Sequence, residues 1–271
     1  MADLSSPPNP EFQSAIPDAV LPPPVRRGED PPLNGWGILS VLTVGAASFF
    51  VTSASLVLGA RSFLYHGQSA KQIVQEHPLL SVAAQVVTYA LVLAFTVALV
   101  KKSGQGFWQA LRWNWPTAWW TYLGWGVVLA FGLGVLQHLL RLPMPEHPPV
   151  DRFFQTRQDV WVLVFFGTLL APLMEELFFR GLLYPLLARW MGVYAGIVIT
   201  SVLFGLVHAA QLAFSWGPVL VISIVGLVLT TVRALAKSLA ASMLIHCAYN
   251  ATLFAAMYFA TDGFRHLENF S

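Results

Sequence analysis

Glu175, Glu176 and Arg180 stand in the run APLMEELFFRG (residues 171–181), between the apolar stretches WVLVFFGTLL and GLLYPLL. An ionisable group at the centre of a membrane helix costs about 2.5–3.5 kcal/mol on insertion scales, so three in one run need a reason. On a helix, Glu176 and Arg180 are four residues apart, share a face and can pair. Glu175 lies about 100° round from Glu176, a quarter-turn or so at 3.6 residues per turn, which leaves it to face a cavity. Two adjacent carboxylates in a dry setting repel and lose hydration, a cost that a cation must offset. A positioned carboxylate of this kind is a general base. The bland alternative is a charge cluster at the end of a shorter helix. Phe178, Phe179, Leu182 and Leu183 argue against it by carrying the apolar pattern past the charges.

Two further pairs have the same four-residue spacing. Phe204 and His208 occur in SVLFGLVHAA, and His246 and Asn250 in LIHCAYNA. Alone, His208 reads more readily as a packing or interfacial histidine than as a catalyst, and the His246–Asn250 pair reads equally well as an interhelical polar contact. Register gives them a common purpose. If one connection is centred near Met191, Glu175 precedes it by 16 residues and His208 follows it by 17. Antiparallel helices then put both at one height, roughly 24 Å from the turn at 1.5 Å per residue. His246 and Asn250 lie nine and 13 residues beyond Lys237 on a helix that starts from the same end. That places them roughly 14–20 Å along, in the same layer.

A carboxylate and a neutral imidazole at one height can share a water. Glu175 would take its proton and His208 would orient it for attack on a carbonyl. His246 and Asn250 could donate to the developing oxyanion, an interaction strengthened where water is scarce. This describes hydrolysis of a peptide or similar acyl bond with no covalent intermediate. Cys247 adjoins His246 but points about 100° away on a helix, as a packing residue would. A metal is the rival chemistry, since Glu175, His208 and His246 are a possible Zn²⁺ ligand set. No H-E-x-x-H pair is present, and the histidines fall on different segments, so the expectation is a metal-free site.

The elements that must position these groups are membrane helices. The chain has 271 residues, 56% hydrophobic and only 10% charged, with mean hydropathy +0.63, against about 25% charged in a soluble domain. Seven apolar segments of about 20 residues are readable: Trp36–Ala60, Leu79–Val100, Ala118–Leu140, Val160–Leu187, Met191–Leu212, Pro218–Val232 and Ser238–Ala260. Breaks within the longer ones would make eight. Trp113, Trp115, Trp119 and Trp120 read as an interfacial belt. Gly124, Gly126, Gly132 and Gly134 suit close helix packing. The expected fold is an all-α, polytopic transmembrane helical bundle.

The first 34 residues hold nine of the 18 prolines; they lack an apolar signal-peptide core and read as a disordered tail. Transmembrane helices follow at 35–150, a catalytic core at 151–262 and a short polar tail at 263–271. The net charge of +2 is too small and dispersed for a nucleic-acid surface. One cysteine excludes an intrachain disulfide. With seven spans and the N-terminus inside, nine Lys/Arg fall on inside segments and six outside. That favours a cytoplasmic N-terminus in a cytoplasmic membrane.

E-E-x-x-x-R at Glu175, Glu176 and Arg180, then F-x-x-x-H at Phe204 and His208, then H-x-x-x-N at His246 and Asn250, resembles the CPBP intramembrane proteases. This is also called the Abi family, and it includes the CAAX prenyl endopeptidases of the Rce1 type. The resemblance covers roughly residues 155–260. It implies a site inside the bilayer in which Glu175 and His208 activate water and His246 and Asn250 form the oxyanion site. Glu176 and Arg180 would then support the site. It also implies a membrane-embedded or lipidated peptide as substrate, lipid as surroundings and a metalloprotease label. Bacterial relatives that act in bacteriocin immunity or as scaffolds suggest a non-catalytic alternative on the same fold, and a transporter would also account for buried charges.

Overall fold

The computed structural model describes residues 30–143, 145, 149–154 and 156–266. Most of the expected Pro-rich tail (1–29) and the end of the C-terminal tail (267–271) lie outside them. No strand occurs among the described residues. Among the described residues, apart from 3₁₀ turns at Pro149–Phe153 and Ala209–Leu212, nine helices follow in order: α1 (Gly35–Phe63), α2 (Ala70–Glu76), α3 (Leu79–Lys102), α4 (Phe107–Ala110), α5 (Trp119–Leu139), α6 (Arg157–Met191), α7 (Val193–Leu206), α8 (Trp216–Ala236) and α9 (Leu239–Ala260). Of these, α1, α3, α5, α6, α8 and α9 are long and apolar enough to cross a membrane. The protein is therefore an integral membrane helical bundle.

The fifth expected segment, Met191–Leu212, divides. Met191 ends α6, and Gly192, at φ +87°, makes the reversal in a backbone region that costs glycine least. α7 then runs only 14 residues, roughly 21 Å, before a 3₁₀ turn at Ala209–Leu212. His208 sits in the joint between them, outside the regular helix.

Local chemistry fixes the helix starts. Asn34 accepts from the Gly37 amide to open α1, Thr156 from Asp159 to open α6, and Ser238 from Ala241 to open α9; each satisfies an amide the helix leaves unpaired. The Ser238 hydroxyl also donates to the Asn114 carbonyl, tying α9 to the α4–α5 connection. Of the α5 glycines, Gly126 meets α9 closely. A Cβ there would lie 2.5 Å from the Ile245 carbonyl and 2.6 Å from Ala248 Cβ, whereas Gly124, Gly132 and Gly134 face open space.

α6 is the element that matters most for the site, and it is not a uniform α-helix. Phe166–Leu170 and Leu177–Leu183 are π-helical, flanking the α-helical turn Ala171–Glu176 that carries both glutamates. In the first, the Ala171 amide bonds to Phe166 O, five residues back. The next residue, Pro172, has no N–H to continue the series, so the Gly167 carbonyl is left for another donor. Pro185 stands in the same place after the second π segment. Such bulges are frequent at functional sites. Leu177 and Leu182 pack with Val41 of α1, Val100 of α3 and Phe107 and Leu111 of the α4 region, which fixes the rotation of α6.

Candidate active site

Glu176 and Arg180 lie at the bottom of the site, both fully buried, joined by Arg180 Nη1 donating to Glu176 Oε1 at 2.9 Å. Arg180 is held further by donation to Thr230 Oγ1 (3.2 Å) and to the Gly226 carbonyl (3.2 Å) of α8. Its guanidinium lies over the Phe204 ring, 4.2 Å from the centroid, a cation–π contact. Breaking a buried ion pair by deleting one partner costs about 3–5 kcal/mol, because the other charge stays buried. The pair is accordingly a structural lock as well as a local charge.

His246 of α9 also reaches Glu176, its Nδ1 2.9 Å from the same Oε1. A carboxylate paired with Arg180 can only accept, so His246 donates from Nδ1 and turns Nε2 towards Glu175, 3.6 Å from Oε2. His208 is set in the same sense. Its amide bonds to Gly205 O three residues back, which leaves the Phe204 carbonyl to accept from His208 Nδ1 at 2.8 Å. His208 Nε2 therefore also faces Glu175, 3.9 Å from Oε1. Glu175 thus stands between two imidazole Nε2 atoms, each a little beyond hydrogen-bond reach. The side chains of Glu175 and His208 remain 22% and 20% exposed, while His246 is 4% exposed, so the carboxylate is approachable from one side.

Phe204 packs edge-on against Phe179 (5.1 Å between centroids), His208 (5.1 Å) and His246 (5.7 Å). It is the apolar wedge between the two imidazoles. Asn250 uses one amide hydrogen on the Gly167 carbonyl at 2.7 Å, the carbonyl freed by the π turn and Pro172. Its second amide hydrogen is available to another acceptor. Cys247 is a free thiol, half-buried beside this cluster.

Six of the seven residues singled out by spacing are therefore linked by contacts, whereas Asn250 stands one turn beyond His246 on α9 and hydrogen-bonds the Gly167 carbonyl. Sequence reasoning missed Thr230 and the Gly226 carbonyl, which hold Arg180, and the Gly167 carbonyl, which holds Asn250. It also missed Tyr89 on α3, stacked on Phe166 at 5.9 Å and within electrostatic reach of Glu175. Pro172 was the one available signal, since an in-helix proline frees a carbonyl. As for zinc, no group of three or more His, Cys, Asp or Glu placed to hold a metal ion occurs among the described residues.

Residues 157–252 match the family model described as type II CAAX prenyl endopeptidase, Rce1-like. That segment runs from the start of α6 into α9 and contains all seven residues singled out by spacing. No curated protein and no solved structure matches the chain.

Proposed function

We propose that the protein is an intramembrane endopeptidase in which Glu175 activates water for attack on a peptide carbonyl. The observation that carries this reading is the placement of Glu175 between His208 Nε2 and His246 Nε2, at 3.9 and 3.6 Å. Water between Glu175 and His208 meets two acceptors. Both hydrogens are taken, and the oxygen lone pair is turned outward to the substrate. Glu175 accepts a proton as the C–O bond forms. The oxyanion takes hydrogen bonds from the second Asn250 amide hydrogen and from His246. Because His246 Nδ1 is committed to Glu176, its Nε2 donates only in the imidazolium form. The tetrahedral species collapses as the C–N bond breaks, and protonated Glu175 returns its proton to the leaving amine. No acyl-enzyme forms, and no metal is required.

The substrate class is a membrane-embedded or lipidated peptide, supported by the Rce1-like segment and by a site enclosed by apolar spans. A peptidomic comparison of membranes carrying wild-type and E175Q protein tests the proposal. Peptides that accumulate as products only with wild type are expected, and they name the substrate. Identical peptide sets from the two membranes would favour a binding or scaffold protein instead.

A further inference from the structure

At the opposite end of α6 and α9 from the Gly192 reversal, a cavity of about 300 Å³ is lined by Arg157, Tyr258, Phe259, Asp262, Gly263 and Arg265. It is the larger of the two described cavities. The other is apolar and water-sized, about 20 Å³, between α1, α3 and α6. Nothing in the proposed peptidase chemistry uses the larger one.

The residues that form it are held by a built turn. After α9 the chain hooks back through three successive left-handed residues, Asp262 (φ +47°), Gly263 (+72°) and Phe264 (+61°). For Asp262 and Phe264 this conformation is unfavourable and persists only where the surroundings over-determine it. Here Thr261 Oγ1 accepts from the Phe264 amide, and the Arg265 and His266 amides both bond to Thr261 O. Phe264 is 2% exposed and wedged edge-on between Trp161 (5.3 Å) and Tyr258 (5.2 Å). The hook thereby brings Arg265, five residues past the end of α9, to the cavity that Arg157 lines from the first turn of α6.

The charge there is unbalanced. Arg265 reaches Asp262 at 3.6 Å, and no ion pair involving Arg157 occurs among the described residues. Among the described residues that line the cavity, two guanidiniums face one carboxylate. Guanidinium forks match phosphate oxygens with paired hydrogen bonds. The height in the membrane is also informative. Both spans end here, and Trp161, Tyr258 and Phe259 are exposed around the opening, as aromatic residues are at the headgroup level. Phospholipid phosphates are constantly present at that level, and their glycerol and chain starts would meet Tyr258 and Phe259.

We infer that this cavity is a binding site for the phosphate of an anionic phospholipid, gripped by Arg157 and Arg265 at the end of α6 and α9. The test is native mass spectrometry of the full chain in detergent, titrated separately with phosphatidylglycerol, with diacylglycerol of the same chains and with inorganic phosphate. Phosphatidylglycerol adducts are expected on the wild type and are weakened at least tenfold in R157Q/R265Q, with an unchanged thermal midpoint. R157K/R265K, which keeps the charges but not the forks, falls between them. R157Q and R265Q singly give the same reading if the double variant folds poorly. Phosphatidylglycerol binding within twofold of wild type in the glutamine variants would overturn the inference. So would diacylglycerol binding as tightly as phosphatidylglycerol. Displacement of the lipid by equimolar inorganic phosphate would assign the site to the free anion and overturn the lipid assignment.

Discussion

Glu176 Oε1 accepts from both Arg180 and His246, which divides the two adjacent glutamates sharply. Glu176 is immobilised and fully buried, while Glu175 is left facing the two Nε2 atoms. E175Q keeps the shape of the side chain and removes the base, so turnover is expected to fall about 10²–10⁴-fold, the usual worth of a general base. The variant should purify and melt like wild type, and a rate within a few-fold of wild type would refute the assignment. R180A is expected to behave in the opposite way. It strands Glu176 as a buried unpaired charge and should cost about 3–5 kcal/mol, seen as a lower thermal midpoint and poor recovery from the membrane. Spacing alone made the Glu176–Arg180 pair legible, because four residues on a helix are neighbours. The Glu176–His246 contact was not, because it joins residues 70 apart and depends on how α9 is rotated against α6.

At the scale of the element, spans and register were readable from hydropathy and from the turn near Met191, and the structure places that reversal at Gly192. The π segments of α6 were not readable. An i→i−5 ladder has no composition of its own, and Pro172 signals only that one amide is missing. α2 and α4 escaped for a similar reason, being too short to leave a periodic pattern. The coupling of Pro172 to Asn250 can be measured. N250A leaves the Gly167 carbonyl without its donor and should cost on the order of 0.6–1.7 kcal/mol, the range for interhelical hydrogen bonds in a membrane protein. In a P172A background the backbone amide restored at that position can take the carbonyl. The cost of N250A should shrink there, and a strictly additive double-mutant cycle would refute the link. The α5 glycines make a sharper contrast. G126A drives a Cβ into the Ile245 carbonyl and Ala248, backbone and methyl that cannot swing aside, and should loosen α5 from α9. G132A meets nothing within 4 Å and should leave the thermal midpoint unchanged.

For the whole molecule, the number of crossings turns on the short α7 and the turn that follows it. At 14 residues it spans roughly 21 Å, and the four-residue 3₁₀ turn after it adds roughly 8 Å at about 2 Å per residue. Together they approach the ~30 Å hydrocarbon core, so seven crossings are expected. One end of the bundle is tied together by contacts that hydropathy does not show. Asp30 pairs with Arg189 at 2.9 Å, and the Leu239 amide bonds to Arg112 O at 2.9 Å. The chain before α1, the α4 region, the end of α6 and the start of α9 therefore share a side. Arg180 and Arg233 are buried in the bundle and leave the loop count, which reduces the inside excess to seven Lys/Arg against six. Seven crossings, rather than charge, then make the firmer prediction. In a C247S background, K102C and A236C should react with a membrane-impermeant maleimide from one face of sealed vesicles, and H66C and R265C from the other. With the N-terminus cytoplasmic, the first pair is protected in intact cells and the second pair is labelled. If A236C labels from the same face as H66C, α7 does not complete a crossing and the antiparallel packing that sets His208 against Glu175 is wrong. If all four positions keep their pairing with the faces exchanged, the bundle stands and only its orientation in the membrane is reversed.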